Sequence, residues 1–282
     1  MGPFLAVLSA LVYGCADFLG GKATRRSAAS TVTASSQLAG LSVLVLGVML
    51  VRGGGPTIRT LCFGAVAGLG GALGIMLLYA ALAQGTMSIV SPATAVTAAV
   101  VPLLAGTIWL HERPPSRAWF GVMLSLGAIA LVSQAPGPGG HRAGALRIVL
   151  MSVGAGAGFG TLFVLFRQAG DPREVGLWAL VGARPVSIAA AALLAKRNHQ
   201  PVLVERKEWK MVASAGMLDQ AANVLYVLSI GRGLLSVLAV LASLYPVSTV
   251  ALARVIDGER LQRIQLIGVI LALVALMLVA SA

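Results

Sequence analysis

Long apolar runs alternate with short polar or glycine- and proline-rich gaps along almost the whole chain. A helix needs about 20 apolar residues to cross a bilayer, and ten runs approach this length. The pattern therefore predicts an all-α membrane protein with ten transmembrane helices, at about 3–22, 30–51, 59–83, 87–110, 117–134, 145–167, 174–195, 209–231, 234–255 and 263–281. The first run carries Asp17 and has no basic start, so we interpret it as a mature helix and not as a signal peptide.

The second half of the chain repeats the first half in one register. Three pairs of matching residues lie 147 positions apart: Tyr79 and Tyr226, Glu112 and Glu259, and Gly121 and Gly268. A Pro/Gly-rich run at 135–140 lies near the middle. We therefore predict an N-terminal five-helix repeat at 1–135, a linker at 136–143 and a C-terminal five-helix repeat at 144–282. Because five is odd, the second repeat would enter the membrane from the opposite side, as in many secondary transporters.

Composition agrees with a membrane protein. Of the 282 residues, 58% are hydrophobic and only 11% are charged, against about 25% charged in soluble domains. The net charge of +12 does not indicate nucleic-acid binding, because the Lys and Arg residues lie in the gaps between apolar runs. Cys15 and Cys62 lie inside apolar runs, and the histidines have no ligand spacing, so we expect no metal and no cofactor.

The arrangement resembles the EamA-type transporters of the drug/metabolite transporter superfamily. Each half has a Glu-Arg pair near the end of its fourth predicted helix and a Gly in its fifth, namely Glu112-Arg113 with Gly121 and Glu259-Arg260 with Gly268. The family's first-helix pattern, an aromatic-Gly pair and a Lys eight residues after the Gly, matches Tyr13-Gly14 and Lys22. Its frequent Arg in the second helix of a half matches Arg184, whereas the first half has Gln37 there.

Charged residues inside membrane spans are costly and usually functional. The clearest of them in the predicted spans are Asp17, Arg184 and Asp219. Asn223 and Tyr226 follow Asp219 at spacings of four and seven, which places the three on one helical face. The candidate substrate-binding residues of a central cavity are therefore Tyr13, Asp17, Tyr79, Arg184, Asp219, Asn223 and Tyr226. The alternative is that Arg184 and an Asp only neutralise each other within the helix bundle.

The charge of the substrate stays open at this point. A free Arg184 would accept an anionic group. If Asp219 neutralises Arg184, Asp17 would leave the cavity negative and suited to cations or amines. Proton coupling is likewise open, because a low dielectric favours a neutral carboxyl whereas a nearby Arg favours the charged form.

Other polar and kinked positions have structural interpretations. Glu112 and Glu259 lie at helix ends, on opposite membrane faces if the repeat is inverted, so they cannot meet and we expect each to fix the end of a fourth helix. Pro92, Pro102 and Pro246 interrupt the fourth and ninth predicted helices, where proline kinks the axis. They are either hinges or static kinks.

The resemblance implies a secondary active transporter, more commonly an exporter, of a small metabolite or drug-like solute, working by alternating access. The alternatives are an uptake carrier for a small polar nutrient or cation, and a non-transporting membrane sensor or assembly subunit. No catalytic constellation occurs, so an enzyme is not expected. The expected partners are a small-molecule substrate and the lipid bilayer, without nucleic acid, and the chain would act as a monomer or a homodimer.

The predicted location is the inner or plasma membrane. The connections on one face carry 13 Lys and Arg residues and those on the other carry 7. This asymmetry would place both termini outside the cell, whereas the family resemblance implies cytoplasmic termini. We adopt cytoplasmic termini as the expectation.

Overall fold

The computed structural model describes residues 1–51, 54–109, 115–117, 119–121, 123–124, 127, 142–171, 177–230, 232, 238, 241–259 and 263–280. Every regular element within these ranges is a helix. The helices are α1 Gly2–Ala23, α2 Ala29–Leu50, α3 Ile58–Gln84, α4 Met87–Trp109, α5 Arg142–Gln168, α6 Trp178–Arg197, α7 Trp209–Ser229, α8 Pro246–Ile256 and α9 Arg263–Ala280.

Seven of the described helices, α1 to α7, are long and apolar enough to cross a membrane. Helix α8 is a shorter apolar helix, and α9 contains a shorter apolar segment, Leu266–Ala275. Most of the predicted fifth helix and linker, and the start of the predicted ninth helix, lie outside the described residues. The chain is therefore an all-helical multi-pass membrane protein, and the prediction of ten spans stays a prediction.

The helices of the two halves interleave. Helix α1 packs against α7 and α8, α2 against α6 and α7, α3 against α5 and α6, and α4 against α5, α8 and α9. These contacts form matched pairs. Exchanging each helix for its counterpart in the other half converts the α1–α7 contact into α5–α3, α2–α7 into α6–α3, and α1–α8 into α5–α4. The core is thus built mainly between the halves.

Glycines let the halves approach closely at two matched places. A Cβ on Gly14 of α1 would overlap the Ser248 hydroxyl and the Tyr245 carbonyl oxygen at the start of α8. A Cβ on Gly160 of α5 would meet the Val101 side chain at 2.5 Å and the Ala98 carbonyl oxygen at 3.1 Å in α4. Gly160 lies 146 positions after Gly14, and Tyr245 and Ser248 lie 147 positions after Ala98 and Val101. Small residues at such crossings are typical of membrane helix packing.

Charged side chains join three helix ends near one face of the bundle. Lys22 Nζ lies 2.7 Å from Asp257 Oδ1, and Arg25 lies 3.1 Å from Asp257 and 3.6 Å from Glu259. The Glu259 carboxylate also accepts hydrogen bonds from the Met87 and Ser88 backbone N–H groups and from the Ser88 hydroxyl, at 2.8 to 3.1 Å. We name Lys22, Arg25, Ser88, Asp257 and Glu259 the end cluster. It ties the ends of α1 and α8 to the start of α4.

Glu259 follows the end of α8, where its N–H donates to the Ala253 carbonyl oxygen at 3.2 Å, and its carboxylate contacts a second helix. The sequence suggests that it fixes the end of the fourth helix of its own half. In the structure its carboxylate also receives the free N–H groups at the start of α4, in the other half, where the positive end of the helix dipole favours a negative charge. Glu112 lies outside the described residues, so its expected role stays a prediction.

The three prolines differ in their positions. Pro92 and Pro102 lie inside α4, as the sequence predicts. Pro246 is instead the first residue of α8, after a turn at 243–245. The first helical position suits proline because its missing N–H would have no partner there. The predicted ninth helix is therefore broken at Pro246, and this proline does not kink a continuous helix.

Candidate functional site

A narrow cavity lies between the two halves. Its polar and aromatic lining comes from α1, α2, α5, α6, α7 and the turn before α8, and comprises Tyr13, Asp17, Gln37, Phe159, Phe163, Phe166, Arg184, Ser187, Asp219, Asn223 and Tyr245. About 50 Å³ is open to the centres of water-sized molecules, several times the room that one water needs. The cavity therefore has room for more than a single water molecule.

Arg184 and Asp219 form an ion pair across α6 and α7. Arg184 Nη2 donates to Asp219 Oδ2 at 3.2 Å. The exposed fractions of the two side chains are 6% and 14%. Asn223 Nδ2 donates to the Asp219 carbonyl oxygen one turn away, at 2.8 Å. This pair is mutually neutralised, as the sequence analysis allowed.

Asp17 on α1 is in a different electrostatic situation. It is only 7% exposed, and among the described residues no cation or hydrogen-bond donor pairs with its carboxylate. It lies close enough to Asp219 for the two negative charges to repel each other. An isolated carboxylate is costly in a low dielectric. Asp17 therefore needs a proton or a cationic ligand to neutralise it.

Tyr13 completes the α1 face of the cavity. It lies four residues before Asp17, on the same face of the helix, and it lines the same cavity. Its ring is within electrostatic reach of Asp17, Arg184 and Asp219. The structure thus brings together five of the seven candidate residues of the sequence analysis, namely Tyr13, Asp17, Arg184, Asp219 and Asn223.

The other two candidates, Tyr79 and Tyr226, lie outside the cavity lining. Both are fully buried. Tyr79 packs against Gly20, where no side chain would fit, and the Tyr226 ring lies 4.4 Å from that of Phe163. Phe163 itself lines the cavity, so Tyr226 packs against one of the lining residues.

Several lining residues were missed by the sequence analysis as site residues. Gln37 is only 5% exposed, and its Oε1 has no hydrogen-bond partner among the described residues. The only signal was a polar residue at the position that matches Arg184. Phe159 and Phe163 were missed because aromatic residues in apolar spans are ordinary packing residues.

The described residues contain no group of three or more His, Cys, Asp and Glu side chains that could hold a metal ion. Within the same part of the chain, the polar side chains of the cavity form neither a nucleophile–base pair nor a carboxylate pair flanking a reactive group. What the site can do is bind a small solute between two groups of helices and neutralise one charge.

The fold and the site together define a polytopic membrane protein with a cavity, lined by charged and aromatic residues, between two repeated halves. The model of the EamA-like transporter family matches the chain twice, at residues 1–134 and 146–281. The chain therefore belongs to the EamA-like transporter family, as the sequence motifs indicated, and membership indicates a membrane transporter of the drug/metabolite type.

Comparison with solved structures agrees in fold. One structure, titled only "Crystal structure of protein", has a TM-score of 0.68 and 19% sequence identity, and the match covers 97% of this chain and 94% of that chain. At this identity the likeness concerns the fold alone. No curated protein matches the chain.

Proposed function

We propose that this protein is a secondary active transporter that moves a small solute by alternating access, with export as the working direction. The observation that carries the proposal is the central cavity, which lies between the halves and holds the buried Asp17 carboxylate and the Arg184–Asp219 pair. Buried charges inside a helix bundle mark solute or ion pathways. A sensor or an assembly subunit would have no need for a charged cavity at the junction of its two halves.

We also propose that the two halves form an inverted repeat. The matched contact pairs between the halves support it, as do the helix ends near the end cluster. Helix α1 ends there, whereas its counterpart α5 begins near the same face, since Gly85 at the end of α3 packs against Ile148 early in α5. Two counterpart helices that run in opposite directions are what inversion requires.

The end cluster serves as a gate in this proposal. It joins α8 to α1 and α4, which both contribute residues to the cavity lining, and so closes one membrane face. At the matching sequence positions, Lys22 corresponds to Gln168, Arg25 to Asp171 and Asp257 to Leu110. The charged residues of the end cluster are thus not repeated at the matching positions of the sequence. Opening the face that the end cluster closes requires its ion pairs to separate.

Asp17 is the residue that we propose for proton coupling. It shares the cavity lining with Tyr13, Arg184 and Asp219, and Tyr79 and Tyr245 also lie within its electrostatic reach. With Arg184 already paired to Asp219, a proton is one way to keep the empty site neutral. Uptake into vesicles under an imposed pH gradient tests proton coupling. An uptake rate that is the same with and without the gradient would contradict it.

We place both termini in the cytoplasm, in an inner or plasma membrane. The charge count argues against this, but Lys22 and Arg25 are held in ion pairs with Asp257, so their positions have a packing cause and are weak indicators of topology. A reporter fused after Ala282 that is active only in the cytoplasm tests the placement. Activity of an external reporter at the same position would contradict it.

The experiment for the transport function is flux into proteoliposomes that contain the purified protein. Pools of labelled amino acids, amines and nucleobases would be offered with and without a pH gradient. We expect saturable uptake of at least one solute above that of protein-free liposomes. The matched controls are Asp17→Asn, which we expect to lose the flux, and Glu205→Gln, which removes the same charge at a side chain that is 72% exposed. No flux from any pool into vesicles holding folded protein would contradict the proposal.

A further inference from the structure

We infer that the solute taken by this cavity is a small organic cation with an ammonium group, which binds at Asp17. This inference rests on the proposed transport function and specifies its substrate class. The reason is the balance of charges in the cavity. Arg184 and Asp219 cancel each other at 3.2 Å, so the remaining charged lining residue, Asp17, sets the net charge of the described lining at −1 when ionised.

An anionic solute fits this arrangement poorly. It would have to displace the Asp219 carboxylate from Arg184. The Arg184 side chain is only 6% exposed, so little of it is open to a second anion. It would also approach the unpaired Asp17. Removing one partner of a buried ion pair is strongly unfavourable, so an anion would need to replace Asp219 with equal geometry.

The remaining lining suits an ammonium group and not a bare metal ion. Gln37 Oε1 has no partner among the described residues, and it can accept a hydrogen bond from an ammonium N–H. Tyr13, four residues before Asp17 on α1, places an aromatic ring in the lining, and cations are attracted to the faces of such rings. A hard metal ion would require about six oxygen ligands, whereas the rest of this wall is largely apolar.

The site is asymmetric in a way that agrees with a single charged group. Asp17 and Gln37 belong to the N-terminal half, and the aromatic residues Phe159 and Phe163 belong to α5 of the C-terminal half. A cation with an apolar part would thus place its charge toward α1 and α2 and its apolar part toward α5. Both halves then contact the same solute.

The test is binding by purified protein in detergent, with triplets of compounds that share a carbon skeleton and differ in charge. The triplets are methylammonium, methanol and formate; butylammonium, butanol and butyrate; and benzylammonium, benzyl alcohol and benzoate. Dissociation constants would be measured by calorimetry or thermal shift at pH 7. In at least one triplet we expect the ammonium ion to bind roughly tenfold or more tightly than the alcohol, and the carboxylate to bind least.

Three variants assign the effect to Asp17. Asp17→Asn should abolish the preference for the ammonium ion, and Asp17→Glu should retain it. Glu205→Gln is the surface control and should bind like the wild type.

Other outcomes overturn the inference. Preference for a carboxylate that disappears in Arg184→Gln would make the cavity an anion site. The absence of an ammonium preference in every triplet, or its persistence in Asp17→Asn, would remove the role of Asp17. These outcomes differ from failure of the transport function, because a carboxylate or neutral solute that moves through proteoliposomes would keep the transporter and reject the cation. Ammonium binding without flux of any solute would keep the cation site and reject the transport function.

Discussion

The two halves of the chain place different charges at matching positions around one cavity. In the repeat, Asp17 corresponds to Phe163 at an offset of 146, and Gln37 corresponds to Arg184 at an offset of 147. Asp219 corresponds to Ala72. The C-terminal half thus contains a closed ion pair, whereas the N-terminal half contains a carboxylate with no cationic partner among the described residues.

The halves differ much less in how they pack. Gly14 and Gly160 make corresponding close contacts with α8 and α4, and Tyr79 and Tyr226 are both fully buried. Packing positions are therefore matched where the charges are not. The difference suggests a division of roles, in which the Arg184–Asp219 pair stabilises the bundle and Asp17 receives the solute.

Breaking the ion pair should have the largest effect on stability. Asp219→Asn leaves Arg184 buried without a partner, and we expect a loss of about 3–5 kcal/mol in the free energy of unfolding. The double variant Arg184→Gln with Asp219→Asn should recover most of that loss, because it leaves no buried charge behind. Denaturant unfolding in detergent measures both. Equal destabilisation of the single and double variants would contradict the structural role of the pair.

The matched glycines provide the next test. Gly14→Ala places a Cβ against backbone atoms of Tyr245 and Thr249, whereas Gly160→Ala places one mainly against the Val101 side chain. Because backbone yields less easily, we expect Gly14→Ala to cost about 1–3 kcal/mol and Gly160→Ala to cost less. Gly144→Ala, which meets no atom within 4 Å, is the control. A larger loss of unfolding free energy in Gly160→Ala than in Gly14→Ala would contradict the prediction that the Gly14 contact is the less tolerant of the two.

The end cluster should affect conformation more than stability. Its Lys22 and Arg25 side chains are 38% and 40% exposed, so we expect Asp257→Asn to cost about 1 kcal/mol or less. Loss of the Asp257 ion pairs should favour opening of the membrane face at which the end cluster lies. A Ser91→Cys probe, buried and three residues beyond Ser88, should then react faster with a polar thiol reagent when Cys15 and Cys62 are replaced by Ala. An unchanged rate would show that the cluster does not act as a gate.

The smallest effect is expected at Tyr245. Its hydroxyl donates to the Ser91 carbonyl oxygen at 3.5 Å, a long hydrogen bond. Tyr245→Phe keeps the ring in the cavity wall, so the free energy of unfolding should fall by no more than about 1 kcal/mol. The preference for an ammonium ion should persist. A lost preference would assign ligand recognition to the hydroxyl and weaken the role of Asp17.

The sequence was a good guide to the helices and a partial guide to the site. The bounds predicted for 3–22 and 59–83 lie within one residue of α1 and α3, because length and apolarity alone decide whether a segment spans the bilayer. Charges inside spans led directly to Asp17, Arg184 and Asp219, since few other reasons exist for placing them there.

The features that the sequence could not predict depend on contacts between residues of different helices. Helical spacing places Tyr226 on the face of Asp219, but it does not predict the contact of Tyr226 with Phe163, which belongs to another helix. The ion pair of Arg184 with Asp219, and the lack of such a partner for Asp17 among the described residues, depend on how α6 and α7 pack. The break at Pro246 depends on the turn before it. These are tertiary features, and the spacing along one helix does not contain them.

The decisive measurement is proteoliposome flux of whichever solute the pools identify, compared among the wild type, Asp17→Asn, Asp17→Glu and the double variant Arg184→Gln with Asp219→Asn. We predict a cationic solute, a loss of about tenfold or more in Asp17→Asn, and substantial flux in the other two variants that fold. An anionic or neutral solute that Asp17→Asn transports like the wild type would contradict the central role of the unpaired carboxylate.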